Sequence, residues 1–88
     1  MGIGPPQAPQ PVITAPALTS LIRSLIPDAE VQLWDRTGTM DHFDVLVRSK
    51  AFAGRSLLDR HRMVEEAVRE ARADGRIHAL AIRTEVVE

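Results

Sequence analysis

The chain contains no cysteine. That absence excludes disulfide bridges, thiol catalysis and any cluster site built on the protein's own thiolates. It leaves the redox compartment open, with cytoplasm as the default expectation. Aromatic residues are scarce: Trp34, Phe43 and Phe52. Three rings give little support to a surface that stacks single-stranded nucleic acid. Charge of one sign is not in excess either, with 11 basic and 12 acidic side chains and a net charge of −1. A general nucleic-acid or membrane-surface binder is usually basic overall, so neither class is favoured globally. No apolar run approaches the length of a membrane span. The start of the chain lacks the basic and apolar regions of a signal peptide. A soluble, cytoplasmic protein is expected, with no membrane partner.

What is present divides in two. Residues 1–16, "MGIGPPQAPQPVITAP", hold five of the six prolines and two of the five glycines. Proline removes a backbone donor and turns its neighbour away from helix, so this stretch reads as a disordered or extended tail. Residues 17–88 then form one small domain, with a modest core and little volume for an enclosed active site.

Within that domain the hydrophobic period changes along the chain. Thr14 can cap a helix with Pro16 in its first turn. Leu18, Leu21, Ile22 and Leu25 make its apolar face, and Pro27 stops it. Residues 29–35 alternate, with Ala29, Val31 and Leu33 on one face and Trp34 on the other. After a turn around Gly38, residues 43–49 alternate again with Phe43, Val45 and Val47 inward, which makes a hairpin. Ser56 can cap a helix near 57–73, with Asp59 placed as in a capping box. Its apolar stripe is Leu57, Val64, Ala67, Val68 and Ala71. Arg62–Glu66 and Glu65–Arg69 are expected as surface pairs. Gly75 suits the helix end. Residues 76–84 form a third strand, apolar on both faces, as expected of a central strand. Because a helix separates it from the hairpin, it should pair parallel. The expectation is an α+β fold of order α-β-β-α-β, with helices on one face of a three-stranded mixed sheet.

The residues that could carry chemistry are few. No nucleophile elbow, zinc-protease motif or phosphate-binding glycine loop occurs, and the helical carboxylates are interleaved with arginines, so an enzyme is not expected. The three histidines, His42, His61 and His78, lack ligand spacing between any two. They can supply one or two metal ligands, not a closed tetrahedral site. His61 shares a helical face with Val64 and Val68 and is expected to pack or cap. His78 stands at a strand start, and His42 at the edge of the hairpin loop. Between positions 48 and 62, Arg48, Lys50, Arg55, Arg60 and Arg62 face one acid, Asp59. That segment runs into a helix N-terminus, which suits a nucleic-acid or partner surface, although an ordinary solvated face, balanced by acids elsewhere, accounts for it slightly better. The order of elements resembles KH domains, but "AGRSL" lacks their GXXG clamp.

Several of these residues also form a pattern. Phe52, Gly54 and Ser56, then Arg60-His61-Arg62 with Val64, then His78-Ala79-Leu80, resemble the BolA family, and "HFDVLVRS" (42–49) is similar to that family's second strand. The match runs over roughly 18–84. The resemblance implies a class II KH-like fold. It also implies pairing with a monothiol glutaredoxin, with a [2Fe–2S] cluster shared between the two proteins in iron–sulfur trafficking or iron regulation. Some bacterial members are DNA-binding transcriptional regulators, so DNA is the alternative partner. The family's strand-start histidine carries over to His78. Its second ligand comes from the loop between the first two strands. Here that loop is short and lacks cysteine, and His42 is the residue that could substitute. The family's Thr-x-Thr-Pro tail is replaced by "RTEVVE". With no thiolate of its own, this chain would leave the partner and glutathione to supply sulfur ligands. Histidine ligation would make binding sensitive to protonation near the imidazole range. The protein alone would carry no cofactor, as a monomer or homodimer.

Overall fold

A computed structural model describes residues 13–35, 42–77 and 79–88. The chain runs through helix α1 (Ala15–Leu25), strands β1 (Glu30–Asp35) and β2 (His42–Ser49), and a 3-10 turn (Lys50–Phe52). Helices α2 (Leu57–Ala67) and α3 (Arg69–Ala73) and strand β3 (Ala79–Val86) follow. This is the expected α+β order, with helices on one face of a mixed three-stranded sheet.

Local chemistry sets the boundaries. Thr14 accepts the Ala17 N–H at 3.2 Å and starts α1, with Pro16 in the first turn, where its missing donor costs nothing. Ile13, just upstream, is buried and donates its N–H to the Arg76 carbonyl. The folded part thus begins before residue 17, and 13–16, which composition assigns to the tail, belong to it. Residues 1–12 lie outside the described part. Leu18 and Ile22 are buried and Leu21 half-buried, but Leu25 is exposed at the helix end. Ser56 accepts the Asp59 N–H at 3.1 Å and caps α2. Gly75, at φ +86°, ends α3 in the left-handed region where a Cβ would be strained.

The single helix expected over 57–73 is interrupted at Val68, whose backbone (φ −104°, ψ 8°) leaves helical geometry. No glycine or proline marks the break. Val64, Val68 and Ala71 stay on one buried face through it, and the Val68 and Arg72 N–H groups still bond to the Val64 and Val68 carbonyls, so the break leaves the helical phase intact. Leu57 was expected in the same apolar stripe, yet it is 72% exposed. The first turn of α2 projects past the end of the core.

The strand order is β1-β2-β3, with β1 antiparallel and β3 parallel to β2. The third strand is therefore parallel as expected, but it lies at the edge. It spans 79–86 instead of 76–84, and β2 is central. Ala79 and Ala81 made β3 look apolar on both sides, but alanine is small enough to stand on an open face. Alternation then defines two faces. Phe43, Val45, Val47 and Ser49 of β2 are buried under the helices, flanked by half-buried Val31 and Leu33 on β1 and Leu80 and Ile82 on β3. The other face carries Gln32, Trp34, Leu46, Arg48, Arg83 and Glu85. Phe52, Leu18, Ile22, Ile26 and Ile77 fill the space between layers, each contributing on the order of 1.5–3 kcal/mol by burial.

Candidate functional site

His42 is the first residue of β2 and is exposed. Its partner across the parallel pair is Ala79, the first residue of β3. The residue before Ala79 in the chain is His78, which lies outside the described residues, as do positions 36–41 of the loop. Among the described residues no cluster of three or more histidine, aspartate or glutamate side chains could hold a metal ion. With no cysteine in the sequence, the donors on offer here are imidazoles. That set fits a contribution to a site completed by another molecule, and does not fit a closed site.

The basic segment does not form one surface. Arg48 lies on the open face of the sheet, between its two register neighbours Glu30 and Glu85. Its guanidinium is 3.6 Å from Glu30 Oε2 and its Nε 3.1 Å from Glu85 Oε1. The Nε contact is an ion pair without aligned hydrogen-bond geometry. Two carboxylates thus offset this one cation. Lys50 is exposed at the 3-10 turn. Arg55 and Arg60 do adjoin: Arg55 Nε donates to the Ala51 carbonyl at 3.2 Å, and Arg60 Nε donates to the Arg55 carbonyl at 3.0 Å. Arg62 lies elsewhere, in a groove between α1 and α2 with Leu25, Met63 and Arg69.

His61 does not pack into the core. Its side chain is exposed, with Nε2 3.5 Å from Glu65 Oε1 one turn on. Neighbouring Glu65 also takes Arg72, at 3.1 Å. Arg69 pairs with Glu66. Trp34, expected to pack across strands, is half-exposed opposite Asp44.

One feature was missed from sequence. Ser49 is fully buried. Its Oγ donates to Asp28 Oδ1 at 2.6 Å and accepts the Ala51 N–H at 2.9 Å. Asp28 Oδ2 accepts the Lys50 N–H at 2.8 Å, and the Ser49 carbonyl accepts the Val87 N–H at 3.2 Å. The hydrogen bond from Ser49, helped by that from Lys50, holds the Asp28 carboxyl below its ordinary range. The signal was available: Ser49 occupies the inward position after Val47, where a polar residue needs a partner.

Comparison with known proteins gives a consistent answer. The family pattern described as BolA-like protein matches residues 27–88. The chain is 52% identical over 46 residues to mouse BolA-like protein 1, covering 52% of this chain and 33% of that protein. Its structure is similar to a crystal structure of a bol-like protein from Babesia bovis (TM-score 0.72, 24% identity, covering 89% and 90% of the two chains). It is also similar to the solution structure of yeast Fra2 (TM-score 0.66, 33% identity, covering 84% and 80%).

Proposed function

The chain belongs to the BolA-like protein family, and from that premise we propose that it is a non-enzymatic, cytoplasmic adaptor. It binds a monothiol glutaredoxin and completes a shared [2Fe–2S] cluster, with His78 as ligand and His42 as the second candidate. The observation that carries this reading is the β2–β3 register, in which His42 faces Ala79, the chain neighbour of His78. One exposed imidazole at this sheet end, with a second histidine next to Ala79 in the sequence and no thiolate in the chain, matches the histidine share of a mixed-ligand cluster. When bound, the cluster supplies iron with open demand for such ligands; the chain's part is to present imidazole nitrogen and to shape the docking face.

The alternative, a DNA-binding regulator, would draw on Arg48, Lys50, Arg55, Arg60 and Arg62. Arg48 is engaged by two acids and Arg62 lies apart, which weakens this reading. The deciding experiment is anaerobic reconstitution with a monothiol glutaredoxin, followed by visible absorption and circular dichroism. A cluster-bearing heterodimer with a spectrum distinct from the glutaredoxin homodimer is expected. Failure to form one, together with tight salt-sensitive binding to duplex DNA, would reverse the order of the two readings.

A further inference from the structure

Strand β3 has a strand neighbour on one side only among the described residues. An uncovered edge presents a row of unpaired backbone groups and is a template for another strand. Beside it, α2 and β3 form a shallow hollow lined by Leu57, His61, Ile82 and Thr84, and the Leu57 side chain there is 72% exposed. Leu57 is thus an open apolar side chain beside a strand edge that has no strand partner among the described residues.

The charge pattern of β3 answers which occupant. Arg83 and Glu85 alternate on the open face of the sheet, and Ile82, Thr84 and Val86 on the helix side. If a second β3 runs antiparallel with Thr84 opposite Thr84 of the other copy, Arg83 faces Glu85 of that copy and Glu85, which also pairs with Arg48 of its own copy, faces its Arg83. On the other side Ile82 faces Val86. Opposite charges and apolar pairs coincide in this register, each worth a few tenths of a kcal/mol or more. The other sheet edge cannot do this: β1 carries Glu30 and Asp35 and no base, so self-pairing there brings only acids together. The chain's own first twelve residues are a poor occupant, because four of them are proline and proline cannot supply ladder donors.

We propose that a second copy of this chain adds to β3, forming a closed two-fold dimer with a continuous six-stranded sheet centred on Thr84, with Leu57 packed across the axis. Such an interface is isologous and closes on itself. It uses the second half of β3 and leaves His42 outside the pairing, so it stands or falls independently of the cluster reading.

The test is sedimentation equilibrium of the whole protein over a concentration series, alongside two variants. The wild type is expected to dimerise. Arg83→Glu, at an exposed position that does not enter the core, is expected to weaken dimerisation at least tenfold with an unchanged far-ultraviolet spectrum. Thr84→Cys introduces the chain's only thiol, and this register puts the two copies' residues within disulfide reach. Air oxidation is then expected to give a covalent dimer, whereas Trp34→Cys, on the far strand, stays monomeric under denaturing conditions. A wild type that is monomeric throughout overturns the proposal. So does a dimer indifferent to Arg83→Glu in which Thr84→Cys does not cross-link, or open-ended association into larger species.

Discussion

His42, at the first position of β2, stands directly across the parallel strand pair from Ala79, at the first position of β3. Two segments thirty-seven residues apart (79 − 42 = 37) thus meet at one end of the sheet. The consequence is a division of labour in the domain. That end carries imidazole, and the far end carries the Glu30–Arg48–Glu85 row on the open face beside the Ser49 tie on the helix side.

Because His42 is exposed and at a strand terminus, its removal should change ligation without changing the fold. His42→Ala is expected to melt within about 0.5 kcal/mol of wild type, while the visible circular dichroism of the reconstituted heterodimer shifts. A folded variant with an unaltered cluster spectrum would remove His42 from the ligand set.

Ser49→Ala removes the hydroxyl that serves both Asp28 and the Ala51 N–H. The hydroxyl is fully buried, so its loss leaves the turn after β2 short of a partner. A destabilisation of about 1–3 kcal/mol is expected in chemical denaturation. A variant as stable as wild type would mean that water takes over the role.

Acid should loosen the same junction. Hydrogen bonds from Ser49 and the Lys50 N–H hold the Asp28 carboxyl below its ordinary value, which is about 3.9 in an unfolded chain. Above that value the carboxylate is ionised in both states and its contribution is complete. The contribution is lost as pH falls through the lower, folded value. Asp28→Asn is therefore expected to flatten the fall in melting temperature below about pH 4. An acid limb identical to wild type would place the dependence on other groups, with Asp74, lowered by Arg76, the next to examine.

Two large apolar residues six positions apart should behave oppositely. Phe52 is fully buried at the 3-10 turn, and Leu58 is 58% exposed on α2. Phe52→Ala is expected to cost about 3–5 kcal/mol, and Leu58→Ala no more than about 0.5 kcal/mol. Equal effects in urea unfolding would contradict the assignment of the core.

These contrasts show what could be read from sequence. Caps at Thr14 and Ser56, the stops at Pro27 and Gly75, and the inward set Phe43, Val45 and Val47 were legible because each rests on chemistry within a few residues. The exposure of Leu57 and His61 was not. Helical phase assigns them to the apolar stripe, but phase does not say where the core ends, and the start of α2 runs past the layer into which Val64 and Val68 pack. The position of β3 at the edge was hidden for a similar reason: Ala79 and Ala81 carry no information about whether a second layer covers them. Arg48, Lys50, Arg55, Arg60 and Arg62 are contiguous as a string but divided by the fold, because β2 points Arg48 away from the helices while α2 carries Arg62 into the groove beside Leu25.

The central claim is that His78 supplies this chain's ligand to a cluster shared with a monothiol glutaredoxin. The measurement that tests it most directly is visible circular dichroism of the reconstituted heterodimer carrying His78→Ala. The account predicts that the heterodimer's distinctive bands collapse toward those of the glutaredoxin alone, with the variant still folded. Bands identical to wild type in a folded His78→Ala heterodimer would contradict it.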